Sequence, residues 1–363
     1  MKNEAEKQLA ALVGMRSISQ DLAVNEATVD YIDTYLKKRG MHCVKNFAGS
    51  KATLIASTRP NNGLTPAVML SAHVDVVPAG DPLFTLRAEG GKLIGRGTFD
   101  MKFAVAGYMQ LVDDLQASLS DYDFSIVITS DEEIGDHYGL VPLVVAGLRP
   151  KICIMPDSTA PDWDVETLAK GYWRFHLIAK GRTGHGARPW EGDSASFKLI
   201  DALYELKGHF SEQSQNTDTL NIGILAGGEA FNKIPDGTKA AVEIRFLSEQ
   251  SLHKNRTIVE AICHKFNLKL EQDSLASPVI TDLEHPLVKP YMASVANITG
   301  HTPQPFISCA ASSAPWLYQV GVTCILSCPE GGGHHSDREW IGRKSFAQFV
   351  PILKDYLQSV ART

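Results

Sequence analysis

The sequence has no run of about 18 or more apolar residues, so it offers no candidate for a membrane-spanning helix. It also lacks an excess of positive charge: 35 Lys and Arg against 41 Asp and Glu leave a net charge of −6. That balance gives no general attraction to nucleic acid or to an anionic membrane. The six cysteines (Cys43, Cys153, Cys263, Cys309, Cys324 and Cys328) have no framework spacing and read as reduced thiols. Only Cys324 and Cys328 lie close together, with no second pair to complete a thiolate metal site. The opening Met-Lys-Asn-Glu-Ala-Glu-Lys has no apolar signal core, so a cytoplasmic chain is expected. Internal repeats and low-complexity linkers are absent as well. What remains is an ordinary globular composition, 44% hydrophobic and 21% charged over 363 residues. That length is large for one core and predicts two domains.

Helices are expected over 2–15 and 25–39. The second has Asn25 as its N-cap, an apolar stripe of Val29, Ile32 and Leu36, and Gly40 as its stop. Extended runs at 42–47 and 52–57 and a turn at 59–63 lead to an apolar strand from Ala67 that ends at His73. After Asp100 a helix is expected over 102–119. A strand over 124–129 then ends in Ser130-Asp131-Glu132-Glu133, and another over 151–155 ends in Pro156-Asp157, with a short helix at 141–146 between them. Each apolar strand delivers a histidine or a carboxylate at its C-terminal end. The rhythm predicts an α/β fold, a mostly parallel sheet flanked by helices, with its site along the carboxyl ends of the strands.

From Lys170 the pattern changes. An alternating strand over 172–180 precedes the loop Gly181-Arg-Thr-Gly-His185-Gly-Ala-Arg188-Pro189 and a helix over 194–210. Strands over 219–225 and 238–246, a helix over 251–266 and a strand over 268–272 complete a β-α-β-β-α-β order, that of a ferredoxin-like α+β unit. Helices over 286–298 and 312–319, a strand over 322–327 and a helix over 344–360 then resume the first pattern. The expected division is therefore one domain from 1–169 and 279–363, interrupted by an inserted domain over 170–278.

His73 and Asp75 share one side of an extended segment, where a carboxylate can orient an imidazole that binds metal. Between the last strand and last helix, Gly331-Gly-Gly333-His334-His335 supplies another imidazole from either histidine. With Asp100, Glu132, Glu133 and Asp157 these groups would converge on one sheet edge and repel one another without cations. A mixed imidazole and carboxylate set suits Zn²⁺, Co²⁺ or Mn²⁺. Two such ions sharing a carboxylate, ~3.5–4 Å apart, can activate water and clamp an oxyanion.

The motifs as a set resemble the M20 metallopeptidases, which include deacetylases, desuccinylases, aminoacylases and dipeptidases. They are His73-x-Asp75, Gly95-Arg-Gly97-x-x-Asp100-Met-Lys102, Asp131-Glu132-Glu133-x-Gly135, Pro156-Asp157, Gly184-His185-x-Ala-x-Pro189, Asn232-x-Ile-Pro235 and His335-x-x-x-Glu339. The resemblance spans essentially the whole chain and implies a zinc-peptidase-like α/β domain interrupted by a lid or dimerisation domain. It implies that Asp100 bridges two divalent metal ions, most often Zn²⁺, with His73 and Asp157 on one and Glu133 and His335 on the other. His335 is favoured over His334 because only it places a glutamate, Glu339, four positions on. Glu132 would be the general base, Asp75 the carboxylate behind His73, and His185 an oxyanion ligand delivered to the neighbouring subunit of a homodimer. Asn232 and Arg245 would contact a short peptide or N-acyl amino acid. The chain departs from the pattern at Phe103 (usually glycine), at Asp157 (often glutamate), and between Pro78 and Gly95, which is short and lacks the usual tryptophan and Asp-Pro-Phe. The implied activity is amide hydrolysis; the rival is a catalytically silent binding or assembly protein on the same fold.

Overall fold

The computed structural model describes residues 4–60, 63–210, 212–310 and 312–362. The turn expected at 59–63 and the start of the first expected helix lie partly outside the described residues. The chain forms two compact units, Met1–Thr167 with Thr281–Phe306 and Ser312–Thr363, and Leu168–Ile280 with Ile307–Ala311.

The first unit is built on a six-stranded sheet in the order His42–Lys45, Leu54–Ser57, Phe124–Thr129, Val68–His73, Ile152–Ile154, Thr323–Ile325. The last four strands run parallel, and the first two are antiparallel additions. Val68–His73 and Phe124–Thr129 are buried at every position, which is why they read as unbroken apolar runs rather than alternating ones. Their shared direction brings the residues after each strand to one edge.

Helix Lys102–Leu115 is buried almost all round. Gly107 faces the Phe349 ring there, and a Cβ would stand only 2.4 Å from it. Phe103, the departure from the family pattern, is fully buried and joins Phe99, Phe346 and Phe349 at ring separations of 6.3, 6.2 and 5.4 Å. The core takes it as one more aromatic ring. The second helix starts earlier than expected, at Leu22, because Asp21 takes the cap and accepts from the Val24 amide at 3.2 Å. Asn25 instead lies within the helix, buried, its amide donating to the Ile18 carbonyl at 3.1 Å.

A small antiparallel sheet escaped the sequence reading. It pairs Gly331–Gly332, Trp340–Gly342, Lys92–Ile94 and Arg87–Glu89 in that order, and so ties the glycine-rich loop to the segment that leads into Asp100.

The second unit is an antiparallel sheet in the order Thr219–Gly227, Gly237–Phe246, Gly171–Lys180, Leu268–Ala276. Helices Ala195–Gly208 and Glu249–Phe266 pack on one face of it, each opened by a serine cap, Ser194 and Ser248. Alternate residues of the central strands (Trp173, Phe175, Leu177, Val242, Ile244) meet Leu199, Leu203, Val259 and Ile262 of the helices in a separate core. The strand order is that of a ferredoxin-like unit.

Candidate metal centre

Asp100 is the hub of the polar cluster in the first unit. Its Oδ1 lies 3.1 Å from His73 Nε2 and its Oδ2 lies 3.1 Å from His335 Nε2. Glu133 Oε2 is 3.0 Å from the same nitrogen of His335. Two sets of donor atoms gather within 4.8 Å of one another: His73, Glu132 and Asp157, and Asp100, Glu133 and His335. The structure thus brings together all six of the residues that the sequence aims at this edge. Glu132 Oε2, 3.9 Å from His73 Nε2, stands among the donors of the first set. Asp100 reaches both sets because Oδ1 meets His73 and Oδ2 meets His335.

Local sequence explains each placement. His73 ends its strand, and its Nδ1 lies 3.0 Å from the carbonyl of Asp75, which turns Nε2 towards Asp100. The Asp75 carboxylate is farther from that nitrogen, at 3.4 Å, and its main work is elsewhere. It accepts the amides of Glu132 and Glu133, both at 3.3 Å, and the Ser19 hydroxyl at 2.8 Å. The carboxylate behind His73 therefore also holds the turn Glu132–Ile134, which closes on Gly135 at φ 105°. His335 follows Gly333 and itself takes φ 57°. Its neighbour His334 lies against the Phe99 ring at 4.6 Å, so the two histidines are sorted by packing.

Several supporting residues were not singled out for a role by sequence reasoning. Fully buried Glu339 accepts the amides of Phe99 and Asp100 at 2.9 and 3.1 Å through Oε1, and Arg96 Nη1 donates to its Oε2 at 2.6 Å. One side chain thus fixes the Asp100 turn from a point four residues beyond His335. Lys102, fully buried, donates to the carbonyls of Leu12 and Met15 at 2.9 and 2.7 Å and ties the end of the first helix to the same turn. The charged residues inside Gly95-Arg-Gly97 and Asp-Met-Lys102 were the available signal, since a charge flanked by buried residues needs a partner.

Electrostatics test whether this donor set fits cations. Burial, then the neighbouring Asp157, drives the Glu132 carboxyl well above its usual range; burial, then Asp100, does the same to Asp157. Burial would raise Asp100 too, but hydrogen bonds from His335 and His73 outweigh it and hold it low. The His335 imidazole is pushed up to about 10 by Asp100 and Glu133. The cluster carries more carboxylate than its imidazoles neutralise, in a nitrogen and oxygen donor set suited to divalent ions of the zinc type. The residues fit the group.

His185, Asn232 and Arg245 belong to the second unit. His185 is exposed, and its loop is paired with that of Asn232: the Gly186 amide donates to the Asn232 carbonyl at 2.8 Å and the Ile234 amide to Gly184 at 2.9 Å. Arg245 lies on the sheet, with Nε and Nη2 donating to Glu243 at 2.8 and 3.3 Å, while Nη1 is buried without a hydrogen-bond partner among the described residues. Arg174 shares that glutamate at 2.7 Å, and both arginines stand over the Tyr172 ring.

Known proteins agree on the family. The model of peptidase family M20/M25/M40 matches residues 69–359. The succinyl-diaminopimelate desuccinylase of Rickettsia canadensis is 30% identical over 279 residues, 70% of each chain. That of a Sulfurovum species is 28% identical over 343 residues, 87% of this chain and 88% of its own. Among solved structures, a Staphylococcus aureus tripeptidase superposes with a TM-score of 0.83 at 19% identity over 98% of both chains. An M20 family metallo-carboxypeptidase from Sulfolobus solfataricus does so with 0.80 at 15% identity, covering 98% of this chain and 99% of its own. At those identities the likeness speaks for the fold. The family match and the desuccinylase relatives carry the rest: the chain belongs to peptidase family M20/M25/M40 and is a metal-dependent amide hydrolase acting on small molecules or peptides.

Proposed function

We propose that this protein is a dinuclear hydrolase that removes the acyl group of a small N-acyl amino acid or cleaves a short peptide. The observation that carries the reading is Asp100, one oxygen 3.1 Å from each of two histidines that stand in separate donor sets. His73 and Asp157 would hold one ion, Glu133 and His335 the other, with Asp100 between them; Zn²⁺ suits the set, Co²⁺ and Mn²⁺ being the alternatives. When bound, such ions polarise the scissile carbonyl and acidify the attacking water.

The remaining work falls to side chains. Glu132, whose carboxyl burial holds well above its usual range, takes the water proton and passes it to the leaving nitrogen. His185 would donate to the oxyanion from the partner subunit. Arg245 would bind the substrate carboxylate, with Asn232 beside the His185 loop completing the contact. A homodimer suits the second unit, which exposes Phe197 and Tyr204 on its first helix and Ile224 and Leu225 on its edge strand. All six cysteines are free thiols, as a reducing compartment would keep them.

The test compares wild type with Glu132→Gln, each stripped and reloaded with zinc, cobalt or manganese. A panel of N-succinyl and N-acetyl amino acids, free dipeptides and carboxylate-blocked dipeptides supplies the substrates. The expected result is two ions per chain in both proteins, with at least a ~100-fold loss of turnover in the variant. Turnover retained by Glu132→Gln refutes the general-base role, and uptake of a single ion refutes the dinuclear centre. Blocked and free dipeptides hydrolysed equally well refute the carboxylate anchor.

A further inference from the structure

We propose that Glu166 is a positioning residue for Asp157: its buried carboxylate gathers the turn at Ser158 and Thr159 and so sets where the Asp157 side chain stands. The proposal rests on the metal-centre reading above and concerns one side of it. Asp157 lies between the strands Ile152–Ile154 and Val165–Ala169 in a stretch that is neither helix nor strand, so no ladder fixes it. Main-chain bonds hold the ends of the stretch, from the Met155 amide to the Ile325 carbonyl at 3.0 Å and from the Trp163 amide to the Cys328 carbonyl at 2.9 Å, and the turn between them is held by side chains. Glu166 is 3% exposed, and its Oε1 accepts two hydrogen bonds, from Ser158 Oγ at 2.8 Å and from the Thr159 amide at 2.9 Å. Ser158 Oγ in turn accepts the Ala160 amide at 3.0 Å. The Glu166 amide donates to the Leu326 carbonyl at 2.9 Å, and the Cys328 thiol donates to the Ser158 carbonyl at 3.3 Å. The turn after Asp157 is therefore held from two sides by groups that are themselves anchored.

The same device occurs at the other two acidic turns of the centre. Asp75 accepts the amides of Glu132 and Glu133, and Glu339 accepts those of Phe99 and Asp100. In each case a buried carboxylate, itself outside both donor sets, binds main-chain donors beside a candidate ligand. Burying an anion is costly, and a neutral side chain could satisfy one amide as well. Charge-assisted bonds are shorter and stiffer, which is what a ligand position requires. Glu166 belongs to neither donor set, and its role follows from this repeated placement.

The experiment is a Co²⁺ titration of chelator-stripped protein, read by visible absorption and by competition with a chelating dye. Wild type is expected to bind in two steps, and Asp157→Asn to lose one of them. Glu166→Ala should weaken that same step by ~10–100-fold and leave the other unchanged. Glu166→Gln, which keeps an acceptor oxygen in place but loses the charge-assisted bonds, should recover part of the loss. Ser158→Ala removes one donor and should weaken the same step by less, which keeps the test available if Glu166→Ala does not fold. Both steps weakened equally, neither weakened, or no recovery by glutamine overturns the proposal. A wild-type protein that binds fewer than two ions overturns the two-ion reading instead, is recognised before any variant is compared, and takes this proposal with it.

Discussion

Removing the Glu339 carboxylate should cost the first unit a large part of its stability. The residue is fully buried, its partner Arg96 is 2% exposed, and two amides depend on it. Leaving a buried guanidinium without its carboxylate costs about 3 kcal/mol at the low end. Each orphaned amide adds about 1 kcal/mol or more. Glu339→Ala should therefore lose about 5 kcal/mol, comparable with the whole stability of a marginal domain of about 5–15 kcal/mol. Glu339→Gln is the informative variant: its carbonyl oxygen still serves Phe99 and Asp100, but its amide end meets Arg96 donor to donor. We expect a loss of about 3 kcal/mol, partly relieved in Glu339→Gln combined with Arg96→Met, with a coupling of about 2 kcal/mol. Urea unfolding of metal-free protein, followed by circular dichroism, measures all three variants and Arg96→Met alone. A loss below about 1 kcal/mol for Glu339→Ala, or strict additivity in the double variant, would refute the reasoning, because both follow from the buried pair.

Other residues yield shorter tests. Burial lifts the Asp136 carboxyl from 3.8 to about 7. Between those values the folded chain keeps a proton that the unfolded chain has released, so stability falls as pH rises through this window and is level above it. Asp136→Asn, measured by urea midpoints in metal-free protein, should remove about 1.4 kcal/mol per pH unit of that slope; an unaltered slope counts against it. Gly333 stands at φ 78°, and a Cβ there would be 2.4 Å from the Arg338 carbonyl. Gly333→Ala should thus cost about 1–3 kcal/mol and weaken the metal binding proposed for His335, as read by chelator competition; unchanged affinity would show that the loop tolerates the strain. Phe197→Glu with Tyr204→Glu should turn the proposed dimer into a monomer in sedimentation, because both rings are more than half exposed on one helix; a wild-type monomer would refute the dimer, and a dimer that persists in the variant would place the interface elsewhere.

What the sequence showed of this centre, and what it hid, divides by distance along the chain. His73, Glu132, Glu133 and Asp157 were legible because each follows a run of apolar residues buried on both faces, and parallel strands deliver their ends to one edge. The change of pattern after the first unit was legible because its continuous apolar runs give way to strict alternation in Gly171–Lys180. The supports were not, because they are pairings without period. Arg96 and Glu339 are 243 positions apart, and Ser19 and Asp75 are 56 apart, so neither partner announces the other. The small sheet around Trp340–Gly342 has strands of two or three residues, too short to show alternation. The cap at Asp21 was hidden by a rival of equal propensity at Asn25, and only the carbonyls of Ile18 and Ser19, which engage the Asn25 amide, separate the two. His334 and His335 present the same choice in another form: identical side chains, sorted by the Phe99 ring and by one residue at positive φ. Residue type and local spacing thus mark where ligands can stand, while the buried carboxylates that hold them still are chosen by the fold.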